Sequence, residues 1–222
     1  MGIIVNCFSV LFGGLFGGLA TRVIPDKIKE KLPTVLGITA ISMGIYKLIE
    51  LDSITVVMLS LIFGYIIGSL IGIENLINRL ATLITVPFKL DEDKSKTLIL
   101  AILIFCFSGT GIFGVVNETL AGDSSVLLVK SILDFFTAAT FASVIGFSVS
   151  LVSIFQLAVM ILLRYVSMLI APIMTPYVLN NFVALGGMIT MTIGFKLSDM
   201  VDIETANVLP AFILVIVLSQ FM

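Results

Sequence analysis

Of the 222 residues, 59% are hydrophobic and only 12% are charged, against about 25% in a soluble domain, and the mean hydropathy is +1.23. Net charge is −2 with no single-sign tail, which argues against a nucleic-acid partner. Histidine is absent, and Cys7 and Cys106 stand outside any CxxC spacing, so an enzyme, a metal centre, a bound cofactor and a disulfide framework all lack support.

What the composition does support is a bilayer. Apolar runs of about 17–25 residues, the length a helix needs to cross it, recur along the chain and leave no room for a second, soluble domain. The expected fold class is therefore all-α: a polytopic membrane helix bundle of about eight transmembrane helices, or seven if the second or the seventh is re-entrant. The first helix is predicted over about Ile3–Ile24, with no Lys or Arg before Arg22, so it stays as a membrane helix and is not a signal peptide. Its Gly13 and Gly17 form a small-xxx-small pair that lets another helix approach closely; a helix break exposing backbone to a solute is the functional alternative. Asn6 near its start can hydrogen-bond across helices or cap at the interface.

A short second helix is expected over about Thr34–Leu48 and a third over about Ile54–Ile73, the latter with a stripe of Gly64, Gly68 and Gly72. From Ile73 to Ile84 apolar residues fall at helical spacing while Glu74, Asn75, Asn78, Arg79 and Thr82 take the other face. That pattern predicts an amphipathic surface helix ended by Pro87, followed by a charged loop over Lys89–Lys96. The fourth helix is expected over about Thr97–Val116, broken at Ser108-Gly109-Thr110-Gly111, and the fifth over about Val126–Phe147. The sixth covers about Leu151–Ile170 with Gln156 and Arg164 inside it, the seventh about Asn181–Leu197 and the eighth about Thr205–Phe221.

Chemistry concentrates between residues 108 and 134. Asn117, Glu118, Asp123, Lys130 and Asp134 lie there beside or inside membrane-length apolar runs, where each ionisable group needs a partner or a hydrated cavity. Lys130 and Asp134, four residues apart, can simply pair on one helix face. They can equally form an ion or substrate site with Ser108, Thr110 and the backbone freed at Gly109 and Gly111. In that site Glu118 and Asp134 are the coupling carboxylates, Lys130 is the counter-charge, and Asn117 and Arg164 complete the polar set. Glu118, if it falls in the outer loop, becomes a vestibule charge only.

Loop charge orients the bundle. Arg22, Lys27, Lys29, Lys31, Arg79, Lys89, Lys94, Lys96 and Lys196 share one side, and Lys47 alone lies opposite, so the positive-inside rule puts both termini outside. Displacing the chain by 150 residues sets Gly37 on Gly187, Gly44 on Gly194, Asp52 on Asp202 and Thr55 on Thr205. An inverted-topology repeat of helices 1–3 and 6–8 follows, as in many secondary transporters. The chain then divides into residues 1–72 (first repeat), 73–96 (surface helix and charged loop), 97–150 (helices 4–5) and 151–222 (second repeat).

Lys130-Ser-Ile-Leu-Asp134 with Phe141-Ala-Ser143 and Gly146, Leu185-Gly-Gly187, Asn207-Val-Leu-Pro-Ala211, Asn6 and Ile24-Pro25 resemble a bacterial inner-membrane family of unknown function, the YqgA/YdfK type, over essentially the whole chain. The resemblance implies a multi-pass protein of the bacterial inner membrane, with transport as the associated expectation, and it supplies neither a substrate nor site residues. The leading expectation is a secondary transporter or channel for a small ion or polar solute. The alternative is a non-transporting membrane scaffold that holds a partner or its own oligomer, a dimer being the simplest, and its glycine stripes and amphipathic helix suit that role equally well.

Overall fold

A computed structural model of the chain describes residues 1–20, 25–85 and 92–222, and the described residues contain helix and no strand. The α-helices in order are α1 Gly2–Ala20, α2 Asp26–Lys47, α3 Ile54–Ile71, α4 Ile73–Thr85, α5 Glu92–Phe107, α6 Gly109–Ala121, α7 Ser125–Ile145, α8 Val152–Ile170, α9 Pro176–Leu197 and α10 Ala211–Phe221. Six helical runs among the described residues are long and apolar enough to cross a membrane. One of them, the 49-residue run Ser125–Ile173, is two passes, because it turns at Gly146 (φ 77°) through the 3-10 segment Gly146–Leu151. The shorter apolar run Thr205–Phe221 makes the last pass.

Helix directions follow from which residues meet. Gly13 and Gly17 of α1 rest on the backbones of Phe135 and Ala139 of α7, in the same chain order, so α1 and α7 are parallel. Val10 shares a cluster with Val152 and Ile3 shares one with Met160, so α8 runs against α1. Gly37 rests on Gly194 and Gly44 on Gly187, which sets α2 antiparallel to α9. Gly64 and Gly68 of α3 rest on Ala211 and on Asn207, just before α10, again antiparallel. In a bilayer, where lipid tails are as apolar as Leu, such backbone-to-backbone contact is what holds helices together. Both chain ends lie on one face of the bundle, which we call the near face; the Arg79 and Lys196 ends lie on the far face.

Several element ends differ from expectation. The second helix begins at Asp26 and runs for 22 residues with Pro33 inside it, two turns from its start; the helix continues past the proline despite the one backbone bond it cannot donate, so it is a full-length pass. The seventh starts at Pro176, with the Thr175 hydroxyl accepting from the Val178 N–H, five residues earlier than the apolar pattern suggests, and at 22 residues it too is full-length. The expected loop over Lys89–Lys96 is helical from Glu92 onward; residues 89–91, Ile24 and Pro87 lie outside the described residues. The fifth helix stops at Ile145, and the eighth opens with a 3-10 turn, Thr205–Val208.

Gly72, at φ 73°, ends α3 in the left-handed conformation that favours glycine and turns the chain into the amphipathic α4. Glu74 departs from its expected place on the outward polar face. It is buried because its carboxylate accepts from the Ala206 N–H at 2.8 Å, its own N–H donates to Asn207 Oδ1 at 2.9 Å, and Lys196 Nζ lies 3.7 Å away. The surface helix is thereby pinned to the start of the last pass.

Candidate functional site at the helix break

The α5–α6 crossing is interrupted inside the bundle. Ser108 leaves the helix (φ −68°, ψ 143°) and its hydroxyl accepts from the Gly111 N–H, an N-cap that satisfies one of the donors a helix start leaves open. Gly109 has the Gly186 carbonyl of α9 2.5 Å from where a β-carbon would stand, and Gly111 has Lys130 Cε at 3.2 Å from the same point. The missing side chains therefore let the break close onto α9 on one side and onto the lysine of α7 on the other.

Lys130 and Asp134 are 3% and 4% exposed. Lys130 Nζ donates to both carboxylate oxygens, at 2.7 and 2.6 Å. Asn6 of α1 donates to Asp134 Oδ2 at 2.8 Å, and Gln156 of α8 donates to the same oxygen at 3.2 Å and to Asn6 Oδ1 at 2.8 Å. Three helices thus converge on one carboxylate, which is what keeping its charge away from water requires. Beside the pair lies a cavity of about 40 Å3, bordered by Ser108, Thr110, Thr137 and Thr190 with Lys130 and Asp134, and for the rest by the aliphatic side chains of Leu36, Ala40, Ile104, Leu133, Ile193 and Leu197. The hydroxyls of Thr110 and Thr190 are 2.6 Å apart. Gln156 Oε1 is buried and has no hydrogen-bond partner.

Ser108, Gly109, Thr110, Gly111, Lys130 and Asp134 are therefore brought together. Glu118 and Asn117 are not: both stand at the near-face end of α6, Glu118 paired with the Met1 ammonium at 2.6 Å and Asn117 donating to Asp123 at 3.2 Å. Asp123 caps this turn, and the Ser125 N–H and hydroxyl it accepts hold its carboxyl below the ordinary aspartate range. Arg164 is exposed on α8 and touches none of the site. Sequence reasoning had no reason to join Asn6, Gln156 and Thr190 to the pair; the one signal was a polar side chain inside an otherwise apolar run. Elsewhere, a cleft of about 620 Å3 opens between α8 and α10 and is lined by apolar residues such as Leu162, Val166, Phe212 and Ile216.

A family model described as "Protein of unknown function (DUF554)" matches residues 1–220. The chain is 32% identical to "Uncharacterized protein YqgA" of Escherichia coli (strain K12) over 225 residues, covering 99% of this chain and 96% of that relative. It is 24% identical to "Uncharacterized membrane protein YdfK" of Bacillus subtilis (strain 168) over 217 residues, covering 96% and 93%. No solved structure matches.

Proposed function

The chain belongs to the DUF554 family of proteins of unknown function, and from the geometry of its interior we propose that it is a secondary transporter or channel for a small ion or polar solute, seated in the bacterial inner membrane. One observation carries the proposal: a fully buried Lys130–Asp134 pair meets a broken membrane helix at a small cavity that Ser108, Thr110, Thr137 and Thr190 border together with aliphatic side chains. Discontinuous helices are how many transporters bring backbone groups and charges to a solute inside the bilayer. Nothing in the apolar cleft at α8 and α10 offers comparable polar chemistry.

The inverted repeat supports the same proposal. The bounds of α1 and α8, and of α2 and α9, are displaced by the same 150 positions. Asn6 and Gln156 are separated by that displacement and are hydrogen-bonded to each other, so they lie where a two-fold axis relating the copies would pass. Gly37 on Gly194 and Gly44 on Gly187 are likewise exchanged into one another by it. Asp134, held by both Asn6 and Gln156, then sits beside the axis about which two halves would rock. The lysine and arginine count supports an orientation with both termini outside.

Flux into proteoliposomes, assayed across a panel of ions and small solutes, tests the proposal with Asp134→Asn as the control. The amide keeps the shape and removes the charge, so flux is expected to vanish while the variant stays inserted. A folded Asp134→Asn protein with undiminished flux would overturn the site. A wild type that moves nothing would favour the scaffold alternative.

A further inference from the structure

We infer that a solute route runs from the far face to the Lys130–Asp134 pair and that Lys196 and Lys47 are its two gates, the Lys47 gate being shut in this structure. The inference rests on the transport reading and gives it a path. On the far face a mouth of about 410 Å3 is lined by Leu100, Lys196, Asp199 and Asp202, among others. Leu100 and Lys196 also wall a void of about 20 Å3 beneath it, room for about one water. That void in turn shares Ile104, Ile193 and Leu197 with the cavity beside the pair. The mouth, the void and the cavity thus follow one another from the surface to the buried charges, each sharing walls with the next.

The narrow stretch is a passage and not a resting place. Leu103, Ile104, Ile193 and Leu197 give it aliphatic walls, the kind of constriction that closes by shedding its water. Ionic and hydroxyl groups gather at the inner end, with Ser108, Thr110 and the pair. Lys196 stands where mouth and void meet. Its ammonium donates to the Ile203 carbonyl at 2.9 Å and lies 3.7 Å from the Glu74 carboxylate, so it ties the end of α9 to α4 and to the segment before α10. Releasing that lysine frees the outer wall of the void.

Toward the near face the same axis is packed. Phe113, one turn beyond the break on α6, is 1% exposed, and its ring lies against Gly186 of α9, where any side chain would push it away. Lys47 closes over the ring, its Nζ 5.9 Å from the centroid and bonded to Glu50 at 2.7 Å. The two lysines are counterparts. The bounds of α2 and α9 are displaced by 150 positions, each helix carries its lysine in the last turn, and each lysine has a carboxylate partner. An inverted repeat sets such counterparts at opposite faces, which is the arrangement that two gates require. In the opposite end state Lys47 leaves Glu50, Phe113 moves off α9, and the void at Lys196 closes.

The full chain in sealed membrane vesicles of each orientation is treated with a small impermeant methanethiosulfonate, Asp199→Cys marking the far face and Asp52→Cys the near one, over the background of the buried Cys7 and Cys106. Ile193→Cys and Leu197→Cys should react from the far face alone, more slowly than its marker. Val115→Cys, wholly buried and away from the route, should stay silent from both faces. Phe113→Cys should stay silent until Lys47→Ala is added, and then react from the near face. Lys196→Ala, or Glu74→Gln where that variant fails to insert, should speed Ile193→Cys by about tenfold or more, because the open gate becomes a larger share of the population. If Ile193→Cys and Leu197→Cys are as silent as Val115→Cys, if all three react alike, or if the gate variants change no rate, the inference is overturned whatever solute the flux panel finds. If the pattern appears and the wild type moves nothing, the gated far-face route stands and the transport reading falls.

Discussion

At the scale of single residues, the site is a carboxylate that four hydrogen bonds keep charged inside hydrocarbon. Asn6 and Gln156 can be told apart by what each leaves behind. Asn6→Leu removes the 2.8 Å donor to Asp134 and also the acceptor for Gln156, so it should cost about 1–3 kcal/mol, read as a lower melting temperature in detergent. Gln156→Leu removes the weaker 3.2 Å bond to Asp134 and the same 2.8 Å bond to Asn6, but it also removes the unpaired Oε1, so its cost should be the smaller of the two. The reverse order would mean that Gln156, not Asn6, holds the carboxylate. Lys130 and Asp134 were legible in the sequence because charge inside a membrane-length run needs a reason. Glu118 and Asn117 were equally charged or polar and equally near, yet a helical residue advances the chain only about 1.5 Å, and seven to ten of those steps carried them to the near face. Glu74 escaped because its partners are backbone groups and an asparagine more than a hundred positions away, which no local pattern announces.

At the scale of elements, the bundle is held by glycines whose missing side chains are replaced by another helix's backbone. Gly17 lies directly on the Ala139 carbonyl, and backbone cannot swing aside as a side-chain tip can. Gly17→Ala should therefore push α1 off α7 and lower stability by about 1–3 kcal/mol, measured by thermal unfolding in detergent. Gly72→Ala is a contrasting control: an added β-carbon would meet only ordinary contact with the Asn75 side chain at 3.7 Å, but the backbone is left-handed at φ 73°, so it should cost only the smaller conformational strain of about 1–2 kcal/mol. An unaffected Gly17→Ala protein would show the α1–α7 contact to be looser than described. The paired spacing of Gly13 and Gly17 could be seen in the sequence, but its partner could not, since α7 follows more than a hundred residues later. Helix starts were read late at α2 and α9 for one physical reason: their first turns are polar or proline-bearing, and a hydropathy pattern begins only where the apolar run does.

At the scale of the whole molecule, eight passes put both chain ends on the near face, and the proposal that this face is the outer one rests on the distribution of Lys and Arg. Single cysteines at Lys27 or Asp199 should react with a membrane-impermeant maleimide only after the cells are opened, and those at Asp52 or Thr175 in intact cells. Cys7 and Cys106 are buried and should stay silent as background. Labelling at Lys27 in intact cells would invert the molecule. The all-helical class and the amphipathic α4 could be read from hydropathy alone, and the number of passes to within one. How the passes pair could not, because all of them present similar apolar faces and only the glycine contacts distinguish one neighbour from another.

The spacing of Lys130 and Asp134 also bears on how the protein is made. Asn6 is synthesised 128 residues before Asp134 and Gln156 22 residues after it, so during membrane insertion of α7 the first helper is already in the lipid and the second is still on the ribosome. A lone carboxylate or ammonium entering the bilayer at that moment costs at least about 2.5–3.5 kcal/mol on insertion scales. Because the lysine sits one helical turn before the aspartate, α7 leaves the insertion machinery carrying its own neutraliser, and its charges need no tertiary partner to enter. A chain with the same lysine moved to α1 would have the same neutral interior once folded, yet it would have to deliver a bare carboxylate to the membrane first.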